Sequence, residues 1–144
     1  MTKPTALKYS DITEKIIGCA MKVHGKMRSG YVESVYQKCL SIEFEKSGLH
    51  FHMEVDHPIY YKGIIVGRRR VDFLIDNKIV VEIKALSEIT NAHIAQALNY
   101  LETHQLEIGL LINFGAKSLQ FKRLINERKL LSSQQKNPIH PTNL

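Results

Sequence analysis

The stretch from Val71 to Lys84 constrains the fold of this chain more than any other segment, because two apolar runs flank a short polar turn. A three-residue turn at Asp76-Asn77-Lys78 predicts a β-hairpin. In the register that this turn sets, one face of the hairpin is wholly apolar, with Val71, Phe73 and Ile75 opposite Ile83, Val81 and Ile79. A two-residue turn would slip the register by one residue and put Asp72 and Glu82 on opposite faces. The continuous apolar face therefore favours the three-residue turn.

The polar face of this hairpin would place Asp72 directly opposite Glu82, with Lys84 two residues further along. Opposed side chains in a sheet have Cβ atoms about 4.5–5.5 Å apart. Two carboxylates that close repel each other unless a proton or a cation joins them. Mg²⁺ prefers one or two carboxylates together with waters and phosphate, and a lysine beside it can stabilise charge on the phosphate. The trio predicts a divalent-metal site, although ordinary exposed strand residues would match so short a pattern too.

Four helical residues are further candidates for the site. Gln96 and Tyr100 are four residues apart and share a helix face, and His93 lies on the same stripe. A glutamine there could hold a phosphate or the attacking water, and the alternative is a solvated helix face. Glu33 follows Gly30 in the first turn of another helix. Glu33 could point into the site, and the alternative is a favourable interaction with the helix dipole.

Several basic residues are candidates for contact with a nucleic acid. The run Arg68-Arg69-Arg70 could bind backbone phosphates, and it could equally be a solvated charge cluster. Lys62 follows Tyr60 and Tyr61 in a stretch that could contact a nucleic-acid strand or pack within a hairpin. His24, near the end of the first predicted helix, is more often a surface or capping residue than a metal ligand.

Composition limits the class of protein. A net charge of +6 over 144 residues favours a polyanionic partner without establishing one. The two cysteines, Cys19 and Cys39, lie among apolar residues and are too few for a four-cysteine zinc or iron–sulfur site. No apolar run reaches the roughly 18 residues of a membrane span, and no signal peptide is recognisable. We therefore expect a soluble cytoplasmic protein with no membrane partner.

Apolar spacing predicts the order α-α-β-β-β-α-β, which indicates an α/β fold with a mixed central sheet and helices on both faces. Ser10 or Asp11 would cap the first helix, and Thr90 or Asn91 the third. The segment 119–131 could be a last short strand or helix. We expect a flexible leader over 1–9, one domain over 10–131, and a disordered polar tail over 132–144.

The candidate residues together resemble the PD-(D/E)xK nuclease superfamily. The motif is present as Val71-Asp72 followed by Glu82-Ile83-Lys84, with valine where the motif's name has proline. The helical segment from Gln96 to Tyr100 resembles the Q-x-x-x-Y motif of the RecB and lambda-exonuclease branch.

The chain is similar, more closely, to a small bacterial family called GxxExxxP, whose members are PD-(D/E)xK-like. The resemblance covers roughly residues 10–125 and rests on the hairpin and on four short segments: Val23-His24, Gly30 to Tyr36, Pro58 to Gly63, and Gly109 to Gly115. Where that family often has Leu-Gly-Pro-Gly, this chain has Met27-Arg-Ser-Gly30.

The resemblance implies a restriction-endonuclease-like core, a mixed central β-sheet flanked by α-helices. It also implies that Mg²⁺ or Mn²⁺ is held by Asp72 and Glu82, with the backbone carbonyl of Ile83 as a further ligand. Glu33 corresponds to a helix glutamate that can complete the metal site. His24 is similar to an upstream histidine ligand of RecB-like nucleases.

The leading hypothesis is a metal-dependent nuclease that hydrolyses DNA, in preference to RNA, with a metal-activated water. Lys84 would stabilise the developing charge, and Gln96 and Tyr100 are further candidate catalytic residues. The alternative is a non-catalytic module that binds nucleic acid or a protein partner on a nuclease scaffold, and a third reading is a plain structural or oligomerisation protein. Small single-site nucleases often dimerise to cut two strands, so a homodimer is a further expectation.

Overall fold

The computed structural model describes residues 8–127 of the chain. Three helices and five strands follow one another in the order α1 Ser10–Met27, α2 Glu33–Lys46, β1 Phe51–Tyr61, β2 Ile64–Ile75, β3 Ile79–Lys84, α3 Asn91–Thr103, β4 Ile108–Asn113 and β5 Gln120–Ile125. The predicted order is therefore confirmed. The segment 119–131, for which a strand and a helix were both possible, contains the additional strand β5. No helix within residues 8–127 is long and apolar enough to cross a membrane.

The β2–β3 hairpin has the predicted three-residue turn. Phe73 pairs with Val81, and Ile75 pairs with Ile79. The turn residues Asp76 and Asn77 have φ of 54° and 56°, a left-handed conformation that Asp and Asn adopt more readily than most residues. The apolar face packs into the core as expected, and Phe73, Ile75, Ile79 and Val81 are fully buried.

The five strands form one mixed sheet in sequence order. Neighbouring strands are antiparallel except β3 and β4, which are parallel because α3 crosses between them. The helices α1 and α2 cover one face of the sheet, where the larger apolar cluster contains Ile16, Tyr36, Leu40, Phe44 and Phe73. The helix α3 covers the other face, where a smaller cluster contains Val71, Val80, Tyr100, Leu101 and Leu111. The restriction-endonuclease-like arrangement of a mixed sheet between helices is therefore confirmed.

Two details of the sequence-based expectations need correction. Neither Ser10 nor Asp11 caps α1: the N-cap is Tyr9, which makes no side-chain cap hydrogen bond. The sequence indicates two separate strand segments before the Lys62-Gly63 turn, at 51–55 and 59–61, and the structure joins them into the single strand β1. In contrast, Thr90 caps α3 as predicted and accepts a hydrogen bond from the His93 N–H.

The predicted leader and tail lie almost wholly outside the described residues. The two described residues of the leader, Lys8 and Tyr9, both contact the carboxylate of Glu107, at 3.0 and 3.1 Å. The tail, 132–144, and the last four residues of the predicted domain, 128–131, lie beyond the described part.

The loop after β3 is held against the end of β4 by Asn113 and Gly115. The fully buried side chain of Asn113 accepts hydrogen bonds from the N–H groups of Leu86 and Gly115 and donates one to the Leu86 carbonyl. A Cβ atom at Gly115 would lie 2.4 Å from the backbone N and O of Leu86. Only glycine permits this approach, which determines where the chain goes immediately after Lys84.

We expect Gly115→Ala to destabilise the fold by about 3 kcal/mol, because the added methyl must displace backbone atoms of Leu86 rather than a flexible side chain. The matched control is Gly18→Ala in α1, where a Cβ meets nothing within 4 Å and where alanine should stabilise the helix by roughly 0.5–1 kcal/mol. Urea denaturation of both variants measures the difference. Equal stability of the two variants would contradict the close approach.

Candidate active site at the β2–β3 fork

The candidate site lies where β2 and β3 separate. The hydrogen-bonded ladder between the strands ends at the Phe73–Val81 pair. Beyond it, the Ile83 N–H donates a hydrogen bond to the side chain of Asp72, with an N–Oδ2 distance of 2.7 Å. Asp72 and Glu82 are therefore close neighbours at a fork, instead of the ladder pair that was predicted.

A local interruption of β1 accompanies the fork. Met53 pairs with Phe73 and Val55 pairs with Val71, and between them Glu54 has a left-handed φ of 53°. This conformation breaks the pleat at the level of Asp72. Val71 then packs with the α3 cluster. The prediction that Val71 shares a face with Phe73 and lies opposite Ile83 is therefore wrong.

Asp72 is partly buried and surrounded by charge. Its carboxyl pKa is raised to about 6, first by burial and then by the neighbouring carboxylates Glu82 and Glu33, while the Ile83 N–H and Lys84 act in the opposite direction. The four charged residues that the sequence analysis assigned to the metal and to phosphate therefore interact in the folded chain. Gln37 adds a contact that the sequence analysis missed, because its Nε2 donates to the Asp72 carbonyl at 3.4 Å.

Glu82 has a different partner from Asp72. The carboxylate is buried, with 8% of the residue exposed, and its Oε1 accepts a hydrogen bond from Arg69 Nη2 at 2.8 Å. The other terminal nitrogen of Arg69 donates to the Gln96 carbonyl at 3.0 Å. The guanidinium also lies over the Tyr100 ring, 4.9 Å from its centroid. Arg69, predicted only as a possible phosphate contact within the run of three arginines, is thus a direct partner of Glu82.

Tyr100 is held by two histidines, His57 from β1 and His104 at the end of its own helix. Its hydroxyl is hydrogen-bonded to His57 Nδ1, and His104 stacks on His57 with ring centroids 4.5 Å apart. Burial raises the pKa of Tyr100 to about 12, and the Glu82 charge acts in the same direction. Burial lowers the pKa of His104, and the neighbouring His57 and Arg69 add to the effect. His57 carries no local sequence signal, because it meets Tyr100 only in the folded chain, whereas the four-residue spacing of Tyr100 and His104 could have indicated their contact.

The remaining helical candidates occupy different surroundings. The side chain of Gln96 is exposed, and its recorded contact to Arg69 uses the main-chain carbonyl. Glu33 is exposed in the first turn of α2 and reaches Asp72 electrostatically. His24 is buried and its Nε2 is hydrogen-bonded to the Ala116 carbonyl at 3.0 Å, so this contact is with a loop and not with the carboxylates.

The alternation of side chains along β2 places the three candidate arginines on opposite faces of the strand. Arg68 and Arg70 form exposed ion pairs with Asp56 and Glu54 on β1, whereas Arg69 points to the opposite face. Lys62 is exposed in the β1–β2 turn. His93 completes the capping box of α3, where its Nδ1 accepts from the Thr90 N–H. The predicted run of three arginines is therefore not one continuous surface.

The donor set suits a hard divalent cation. Among residues 8–127, no three His, Cys, Asp or Glu side chains form a group that could hold a metal. Mg²⁺ typically needs only one or two carboxylates and keeps its remaining waters. Asp72, Glu82 and the Ile83 carbonyl are such oxygen donors. The pKa of Asp72 is raised first by burial and then by repulsion from Glu82 and Glu33, and a cation would relieve that repulsion. These residues fit a Mg²⁺ or Mn²⁺ site by their chemistry.

The chain belongs to the PD-(D/E)XK nuclease superfamily, because the family model of that description matches residues 10–124. Members of this superfamily generally use divalent metal ions. The fold is also similar to the crystal structure of SSO0001, with a TM-score of 0.50 and 18% identity over 71% of this chain and 55% of that one. This chain thus spans little more than half of that protein, and the likeness shows the fold alone. No curated protein matches the chain significantly.

The raised pKa of Asp72 should make stability depend on pH. An unfolded aspartate has a pKa of about 3.9, and the folded value is about 6, so the folded chain binds more protons between these values. The contribution to the free energy of unfolding is fully present below the unfolded pKa and is lost as pH rises through about 6. We expect the wild type to lose stability over this range relative to Asp72→Asn.

Urea denaturation in the metal-free state, repeated across this pH range, measures that difference. Asp76→Asn is the matched control, because it replaces an exposed carboxylate in the β2–β3 turn. Parallel pH profiles for the wild type and Asp72→Asn would contradict the raised pKa.

Proposed function

We propose that this chain is a metal-dependent nuclease that hydrolyses phosphodiester bonds in DNA. The observation that carries the proposal is the fork, where Asp72 and Glu82 are neighbours and Lys84 interacts with Asp72. The superfamily membership supports a nuclease scaffold. Mg²⁺ or Mn²⁺ is the proposed cofactor, held by Asp72, Glu82 and the Ile83 carbonyl. Glu33 is close enough to Asp72 to interact with it electrostatically, so its negative charge would also attract the metal ion.

The residues of the chain have distinct proposed roles. A divalent ion at this site would lower the pKa of a coordinated water and offset phosphate charge. Asp72 is ionised at neutral pH because its pKa is about 6, so it can act as an oxygen ligand. Lys84 stabilises the negative charge that develops on the phosphate. Tyr100 orients Arg69, and Gln96 fixes the same guanidinium through its carbonyl.

The proposed substrate is DNA in preference to RNA, and charge supports a polyanion of either kind. The chain has a formal net charge of +6, and such an excess of Lys and Arg favours electrostatic binding to phosphates. Arg68, Arg70 and Lys62 are exposed and are the proposed contacts outside the site, although Arg68 and Arg70 must exchange their pairing with carboxylates for phosphate. His93 is a weaker candidate because its ring is engaged in the helix cap.

A binding module without catalysis is the second candidate function. The observation that favours it is the ion pair between Arg69 and Glu82, which occupies one of the carboxylates that a metal would need. A protein that never exchanges this pair for a cation would bind nucleic acid equally well with and without a chelator.

The test of the proposed function is cleavage of labelled single-stranded, duplex and branched DNA, and of RNA, with Mn²⁺. We expect Lys84→Ala to lower the cleavage rate by about 100-fold or more while binding changes little, because the lysine acts on charge that develops during the reaction. Lys122→Ala is the matched control, since Lys122 is an exposed strand lysine on β5 and should leave the rate unchanged.

The outcomes separate the two candidate functions. A wild-type rate in Lys84→Ala would remove Lys84 from the mechanism. Nucleic-acid binding that persists in EDTA and is never followed by cleavage would favour the binding module. A preference for RNA over every DNA would overturn the proposed substrate.

A further inference from the structure

We propose that Arg69 is the resident counter-cation of Glu82, and that it competes with the divalent ion for this carboxylate, so that metal loading releases the guanidinium. The inference rests on the proposed function, since it concerns the metal site. It is carried by the contacts of Arg69, which differ from those of the arginines on either side.

Three contacts from two elements fix the guanidinium. One terminal nitrogen lies 2.8 Å from Glu82 Oε1, and the other lies 3.0 Å from the Gln96 carbonyl. The Tyr100 ring lies beneath it. Arginine suits such a place because its planar group can donate to two acceptors while it stacks on an aromatic ring. Two of these supports come from the Gln96–Tyr100 segment of α3.

The burial of Glu82 explains why a cation must be present. Its side chain is 11% exposed, and an ionised carboxylate at such a depth is costly unless it is paired. Asp72 is stabilised in another way, by the hydrogen bond from the Ile83 N–H to its carboxylate. A divalent ion could neutralise both carboxylates at once, and it would then remove the need for Arg69 at Glu82.

Competition follows from the geometry of the carboxylate. Arg69 uses Oε1 of Glu82, and a metal ion and a guanidinium repel each other when they share one carboxylate. The Gln96 carbonyl and the Tyr100 ring remain as supports when the Glu82 contact is lost. A guanidinium freed beside a metal site is a bidentate donor for phosphate. The chain would thus prepare its phosphate contact in the step that loads the metal.

The experiment is a Mn²⁺ titration of the folded, full-length chain near pH 7.5, followed by calorimetry and by the electron paramagnetic resonance of free Mn²⁺. We expect Arg69→Ala to bind Mn²⁺ about tenfold more tightly than the wild type, because Glu82 no longer has a competing partner. The matched control is Arg68→Ala, which removes the same charge one residue away from an exposed pair with Asp56. It should change the affinity much less.

The second variant is Arg69→Gln, which retains a donor for the Gln96 carbonyl and is used if Arg69→Ala does not fold. Equal Mn²⁺ affinity in the wild type and in a folded Arg69 variant would overturn the competition and leave the proposed function intact. A failure of all folded variants and the wild type to bind Mn²⁺ would overturn the proposed metal dependence as well. Similar tightening in the Arg68 and Arg69 variants would reduce the effect to net charge and overturn the specific role of Arg69.

A second, independent observation concerns the outer end of the β1–β2 hairpin. Since β3 pairs only with residues 73–75 of β2, the two strands over 58–68 pair only with each other, and we name this segment the arm. Its Lys62-Gly63 turn has φ of 50° and 80°, as a two-residue turn with positive φ at both positions requires. The arm exposes six apolar side chains: Ile59, Tyr60, Tyr61, Ile64, Ile65 and Val66.

We infer that the arm packs against the arm of a second copy of this chain. The six side chains expose on the order of 600 Å² over the two faces of the arm, because successive residues of a strand point to opposite sides. A contact that covers both faces of the arm in two copies would bury about 1,200 Å², the lower bound for a specific protein interface. The arm carries two charged side chains, Lys62 in its turn and Arg68, which is paired with Asp56, so its surface is mainly apolar. Pro58 on the edge strand β1 has no N–H, which disfavours a further ladder at that position.

Sedimentation velocity at about 1–100 μM, a range in which standard interfaces assemble, tests this inference. We expect a dimer that the double change Tyr61→Ser and Ile64→Ser converts to a monomer. The control is Ile42→Ser, because Ile42 is comparably exposed on α2 at 56%. If the double variant does not fold, Val66→Thr should weaken the dimer with little change of shape. A monomeric wild type, or a dimer that these arm variants leave unchanged, would overturn the inference.

Discussion

The hydrogen bond from the Ile83 N–H to the Asp72 carboxylate is the contact on which the site depends. It lies where the ladder between β2 and β3 has ended, and it holds the two strands together beyond that point. The same contact brings Asp72 beside Glu82 and Lys84 at the edge of the core. The apolar pairs Phe73–Val81 and Ile75–Ile79 provide the rigid base of the fork, since all four side chains are fully buried between the sheet and its helices.

Two carboxylates at such a fork must each have their charge compensated, and the chain does so in two different ways. Asp72 takes a backbone N–H and has a raised pKa, so a proton is its alternative partner. Glu82 takes the guanidinium of Arg69. Under the proposed function, a divalent cation would neutralise both carboxylates and replace the arginine at Glu82. The segment from Gln96 to Tyr100 supports that arginine from the opposite side of the site.

The sequence was sufficient for features that depend on local periodicity. The turn at Asp76-Asn77-Lys78, the alternation that follows it and the cap at Thr90 all depend on residues a few positions apart, and the structure confirms them. The sequence was insufficient for contacts that join segments far apart in the chain. His57 meets Tyr100 across 43 residues, and nothing near either residue signals that contact. Arg69 could have been separated from its neighbours, because alternate residues of a strand face opposite sides, but its partner Glu82 is known only from the folded chain. The metal, the substrate and the catalytic roles remain proposals.

The most direct measurement is a crystal structure grown with saturating Mn²⁺ and recorded where manganese scatters anomalously. The account predicts an anomalous peak for a manganese ion that the carboxylates of Asp72 and Glu82 coordinate. It also predicts that Arg69 has moved away from Glu82. Density in which Arg69 still binds Glu82, with no peak beside Asp72, would contradict the assignment of this fork as a metal-dependent active site.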